Sequence, residues 1–156
     1  MKQHNYSVKI EWEGNTGQGT LDYKSYDRNH RISAEGKHAY IKGSADPSFL
    51  GDSSRYNPEE LLLSSIASCH MLWYLHLCAV NKVVVTSYTD YPTGTMEETK
   101  DGSGKFTEVT LHPKVTVRDS RMIHKANELH EMTNAMCFVA NSCNFPIKHK
   151  AETISE

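Results

Sequence analysis

The feature that most constrains this chain is a helix start written into four consecutive residues. Asn57 is a good N-cap and Pro58 suits the first helical position. Glu59 and Glu60 bring negative charge to the positive end of the helix, and Glu60 stands three residues after Asn57, the spacing of a capping box. From Leu61 to Val80 the run is apolar on nearly every face, the pattern of a helix surrounded by protein. At about 1.5 Å per residue it would extend roughly 35 Å, so the rest of a 156-residue chain has to be arranged around it. The expectation is a central buried helix, too polar to span a membrane.

The flanking segments read as strands. Tyr6 to Trp12 alternates apolar and polar residues; Gly17 to Gly19 turns the chain, Thr20 to Tyr26 suits a second strand, and Gly36 separates Arg31–Ala34 from His38–Ile41. Together they predict an N-terminal antiparallel meander, followed by a polar loop through Asp46-Pro47 and Gly51 to Ser54. Beyond the helix, Lys82–Tyr91 and Phe106–Val117 are rich in β-branched and aromatic residues, with polar residues 97–105 as a mobile hairpin tip. Asp119 or Ser120 can cap a second helix whose Ile123, Ala126, Leu129, Met132, Thr133 and Met136 form one apolar stripe. Cys137 closes that helix or opens the next turn, and Phe145-Pro146-Ile147 predicts an edge strand before a frayed end. The class is α+β, with one domain over residues 1–156.

Composition narrows the function. A formal net charge of -2 with no basic stripe argues against nucleic acid. The first residues lack the apolar centre of a secretory signal, and no run of about 18 apolar residues occurs. A soluble cytoplasmic protein that does not use a membrane is expected. Its four cysteines are then reduced thiols, and any disulfide is transient. The nine histidines lack the paired spacing of zinc sites, so neither a metal nor another cofactor is expected.

Thiol chemistry is the remaining candidate. Cys69 lies on the apolar helix and Cys137 near the end of the second one. Glu59 precedes Cys69 by ten residues, which places it about 80° around the axis and roughly 15 Å along it. It cannot touch the sulfur, but it can hold an arginine that does; Arg28, Arg31 and Arg55 are the candidates. A free thiol with a pKa near 8.5 is only about 3% ionised at neutral pH, and an adjacent cation can make it almost wholly thiolate. Cys143 competes with Cys137 as the resolving thiol. Cys78, about 180° from Cys69 on the same helix, reads as core, and Met71, Trp73 and Tyr74 could line an apolar pocket.

These motifs carry a family resemblance. Asn57-Pro58-Glu59-Glu60-Leu61-Leu62, then Ser68-Cys69-His70, then Cys137-Phe138-Val139-Ala140-Asn141-Ser142 resemble the osmotically inducible protein C (OsmC) and organic hydroperoxide resistance superfamily, in order and over essentially the whole chain. The resemblance implies antiparallel sheets wrapped around the long buried helices of an intertwined homodimer, with active sites at the subunit interface. It implies reduction of organic hydroperoxides, and of hydrogen peroxide as a further substrate. Cys69 would be the peroxidatic thiol, Cys137 the resolving thiol, and Glu59 with an arginine, Arg28 by position, the activating pair. A dithiol, as on a lipoyl protein, would be the reductant. The glycine-flanked Arg-Asp-Gly turn of the organic hydroperoxide branch is absent, which points to an OsmC-like branch. A redox sensor or small-molecule-binding protein without efficient turnover is the alternative, and a purely structural dimer the third reading.

Overall fold

The computed structural model describes residues 1–156. The chain groups into two compact units, residues 1–61 and 62–156. In the first, β1 (Lys9–Trp12), β2 (His30–Ser33) and β3 (Ile41–Gly43) form an antiparallel sheet in chain order, with Ile10 opposite Ile32 and Ile32 opposite Ile41. The meander is therefore present, but Thr20–Tyr26 is not one of its strands. Residues 20–25 are turns and bends, and Tyr26 makes only an isolated antiparallel bridge to Asn15. Asn15 Oδ1 accepts from the backbone N–H of Gly17 and of Gly19, both at positive φ, and Asp22 Oδ1 accepts from that of Lys24. Local polar side chains out-compete a ladder there.

Helix α1 runs Pro58–Val80. Its start is the reciprocal box read from the sequence: Glu60 N–H donates to Asn57 Oδ1 at 2.8 Å, and Asn57 N–H donates to Glu60 Oε2 at 3.0 Å. By length and composition α1 is apolar enough to cross a bilayer, more so than the sequence reading allowed. It is also less covered than expected. Ile66, Ala67, His70, Tyr74, Leu77 and Cys78 are buried, whereas Leu72 and Val80 are 63% and 61% exposed. An apolar tally registers how much surface a helix wants covered, and a single chain covers only part of it.

In residues 62–156 the sheets are mixed rather than antiparallel. β4 (Val85–Thr89), β7 (Lys114–Val117) and β9 (Glu152–Ser155) form one sheet, and β5 (Thr93–Glu98), β6 (Gly104–Leu111) and β8 (Ile147–His149) form another. The β7–β9 and β6–β8 pairings are parallel. The C-terminal residues expected to fray are thus strand β9, and the expected hairpin tip shrinks to the turn between β5 and β6. Asp119 caps a short 3-10 turn that leads into α2 (Ile123–Met136). Two apolar clusters form the core: Tyr74, Leu77, Cys78, Val83, Val115, Val117, Ala126 and Leu129, and Ile66, Ala67, Val109 and Leu111. Cys78 is core, as its helical phase requires.

Candidate functional site

Cys69 is half-buried on α1, and Cys137 is the buried C-cap of α2. Folding brings the two together. The Cys137 thiol is pushed up to about 11, first by burial and then by the hydrogen bond and charge of the neighbouring Cys69 sulfur. Working against that rise, the backbone N–H of Ala140, in the turn after α2, donates to Cys137 Sγ at 3.4 Å. Both sulfurs are free thiols. Cys143, the competing partner, donates to the Val139 carbonyl at 3.3 Å and packs against the cluster around Ile66 and Leu111. Burial pushes its thiol up as well.

Cys69 shares its side of α1 with an apolar groove. Leu72, Trp73 and His76 follow Cys69 by three, four and seven residues, one side of a helix, and line a cavity of about 300 Å³. Phe138, next to Cys137, meets the Trp73 ring edge-on at 5.4 Å. Of the three pocket candidates, Trp73 lines this groove; Tyr74 is fully buried core and Met71 lines a different cavity.

Among residues 1–61, Arg28 and Glu59 line a common cavity of about 290 Å³ with Trp12, Tyr26, His30 and Asp46. The Arg28 guanidinium is stacked on the rings of Tyr23 and Tyr26, 4.4 and 4.2 Å from their centroids, and donates to both their carbonyls. The other candidates are engaged by carboxylates: Arg31 pairs with Glu13 at 2.9 Å, and Arg55 lies 3.5 Å from Asp52 and 3.8 Å from Glu13. Of the three arginines, Arg28 is therefore the one that shares a cavity with Glu59.

One arrangement escaped sequence reasoning. His70 Nε2 and His130 Nδ1 share a hydrogen bond of 3.1 Å, His130 stacks on Tyr74 at 4.0 Å, and His149 lies 5.9 and 5.7 Å from the two rings. Burial, reinforced by repulsion from His149, pushes His70 down to about 4. Burial, then repulsion from His70 and His149, pushes His130 down to about 3. No group of three or more His, Cys, Asp or Glu has a geometry that could hold a metal ion. Sixty residues separate His70 from His130, so no local spacing announced the stack.

The model of the OsmC-like protein family matches residues 51–152. Among solved structures, an OsmC-like protein of unknown function from Vibrio cholerae is 26% identical with a TM-score of 0.85, over 96% of this chain and 100% of its own. An OsmC-like protein from Mycoplasma pneumoniae shares the fold at 15% identity and a TM-score of 0.73, over 98% and 99%. An organic hydroperoxide resistance protein from Elizabethkingia anophelis shares it at 16% identity and a TM-score of 0.67, over 99% and 100%. No curated protein matches the chain.

Proposed function

The chain belongs to the OsmC-like protein family, and we propose that it is a thiol peroxidase that reduces organic hydroperoxides through Cys69 and Cys137. The observation that carries this reading is the meeting of two free thiols from elements 68 residues apart, one half-exposed beside an apolar groove and one buried. The Cys69 thiolate attacks the distal peroxide oxygen, the O–O bond breaks, and the alkoxide leaves as an alcohol after taking up a proton. The Cys137 sulfur then attacks the sulfenic acid, an S–S bond forms, and the S–O bond breaks with loss of water. An external dithiol, with a lipoyl protein as candidate, returns both thiols. Part of what holds Cys137 protonated comes from Cys69 itself, so oxidation of Cys69 removes that part and favours the second step.

In this proposal Arg28, positioned with Glu59, supplies the cation that ionises Cys69, and the alkyl group of the substrate lies along Leu72, Trp73 and His76. A second copy of the chain completes the active unit. Support comes from residues 1–61, which expose Ile10, Trp12, Tyr40 and Ile41 yet bury no apolar side chain. Four thiols suit a reducing cytoplasm.

Mass spectrometry after one equivalent of tert-butyl hydroperoxide tests the reading. A Cys69–Cys137 disulfide is expected, Cys137→Ser should leave a trappable Cys69 sulfenic acid, and Cys69→Ser should abolish oxidation. Peptides in which Cys69 stays reduced would sink the proposal. A stoichiometric redox sensor is the second reading, favoured by the high Cys137 value, which slows resolution. It predicts the same disulfide without cycling when excess dithiol and peroxide are supplied.

A further inference from the structure

Two bridges run side by side between α1 and the turn that follows α2. One is the sulfur pair, Cys69 and Cys137. The other is a ring pair, Trp73 and Phe138, which meet edge-on with centroids 5.4 Å apart and planes at 87°. Trp73 follows Cys69 by four residues on α1, so the two are surface neighbours, roughly 5–6 Å apart at Cβ. Phe138 adjoins Cys137 in the chain. Whatever sets the separation of the rings therefore bears on the separation of the sulfurs.

The turn is internally stiff. The backbone N–H of Asn141 donates to the Cys137 carbonyl at 3.0 Å, that of Ser142 to Val139 at 3.0 Å and that of Cys143 to Ala140 at 3.1 Å, while Ser142 Oγ donates to the Phe138 carbonyl at 2.9 Å. Asn141 Nδ2 fastens the turn to its own helix through the Ala135 carbonyl at 3.0 Å. None of these bonds reaches α1. Val139 seats the turn on the cluster around Ile66 and Ala67, and on the solvent side Phe138 reaches Trp73. Phe138 is 68% exposed, so burial does not account for its place; the directed ring contact does. Trp73 is braced in turn by the His76 ring, edge-on at 5.8 Å.

We propose that Phe138 is a positioning residue for the resolving step, acting through Trp73; the role rests on the Cys69–Cys137 cycle proposed above. In that step the Cys137 sulfur attacks the sulfenic sulfur of Cys69, the S–S bond forms and the S–O bond breaks. The departing hydroxide leaves as water with the proton of the Cys137 thiol. A disulfide tolerates Cα separations of only about 4.4–6.8 Å. Cys137 is 1% exposed, so its thiol cannot find its partner by swinging through solvent. The Trp73–Phe138 contact holds the turn within that window. Attack of Cys69 on the peroxide does not use the turn, so the two steps should respond differently when the contact is removed.

Rapid-quench mass spectrometry with tert-butyl hydroperoxide separates them: loss of the Cys69 thiol reports the first step, and appearance of the Cys69–Cys137 disulfide the second. Phe138→Leu should leave the first rate within about twofold and slow the second roughly three- to tenfold, the rate equivalent of an edge-to-face pair. Excess peroxide should then drive more Cys69 to the sulfinic acid. Phe138→Tyr keeps the ring edge and should restore the wild-type rate. Equal second-step rates in Phe138→Leu and wild type, equal slowing of both steps, or a Phe138→Tyr variant as slow as Phe138→Leu overturns the proposal. A glutathione redox titration judges the alignment without peroxide. Phe138→Leu should lower the equilibrium constant of the Cys69–Cys137 disulfide by a similar factor, and an unchanged constant overturns the proposal. If wild-type Cys69 is inert to peroxide, the peroxidase reading falls by itself, and this titration decides whether Phe138 aligns the thiols.

Discussion

Residues 1–61 and residues 62–156 spend their apolar side chains in opposite ways. The second unit buries two clusters and a stack of aromatic and imidazole rings. The first buries Gly14, Gly43, Ser44 and Asn57 but no apolar side chain, while Ile10 is 58% and Tyr6 91% exposed. A three-stranded sheet with no apolar core is not independently stable by the ordinary arithmetic of burial. The difference teaches that the two halves of one chain can have different stabilisers: packing in one, and in the other polar contacts together with whatever covers the exposed face.

The largest test of that contrast is acid. His70 and His130 are neutral in the folded chain, with values near 4 and 3 against 6.5 in the unfolded chain. As pH falls through about 6.5 the unfolded chain takes up protons that the folded one refuses. Stability is therefore full above that value and drains away down to the folded values. At about 1.4 kcal/mol per unit of depression, the pair should lose several kcal/mol by about pH 5, read as a falling urea midpoint. An unchanged midpoint between neutral pH and that value would mean that the second unit tolerates charge in its core, and the contrast would fail.

Next comes truncation. Leu129→Ala, within the larger cluster, should cost about 2–5 kcal/mol at any protein concentration. Ile10→Ala should cost under about 1 kcal/mol in a monomer. If a second copy covers the sheet, its cost should grow with protein concentration, and denaturation at two dilutions separates the cases.

What could be read in advance divides along the same line. The capping box at Asn57, the cap at Asp119 and the phase of Cys78 are local, since the residues that decide them are neighbours in sequence. Strand β9 was invisible because each of its residues pairs, in parallel, with one in β7 38 positions earlier, and such a partner leaves no mark on a polar tail. The histidine stack was invisible for the same reason. Arg28 could be preferred over Arg31 and Arg55 only by its place in the meander, because the partners that separate the three, Glu13 for Arg31 and Arg55 and the rings of Tyr23 and Tyr26 for Arg28, declare themselves only in three dimensions. The local cap also permits a smaller prediction: Asn57→Ala removes an acceptor from Glu60 N–H and should lower stability by about 1 kcal/mol, measured by thermal or urea unfolding. No change would mean that α1 is held by packing alone.

The smallest effect probes the first unit most directly. Glu13 sits between Arg31 at 2.9 Å and Arg55 at 3.8 Å, and Arg31 also faces the Tyr40 ring at 5.1 Å. Glu13 and Arg31 are both more than a third exposed, so water and salt screen the charges, and Glu13→Gln should cost only about 0.2–1 kcal/mol. That loss should shrink as ionic strength rises toward about 1 M, where the Debye length falls to about 3 Å. Measured by urea unfolding at low and high salt, such a modest, salt-sensitive loss would leave the main stabilisation to whatever covers Ile10, Trp12, Tyr40 and Ile41. A loss above about 2 kcal/mol that survives high salt would be larger than an exposed ion pair normally yields. The first unit would then be secured by its buried guanidinium atoms, Arg31 Nε and Arg55 Nη1, and the need for a covering surface would fall away.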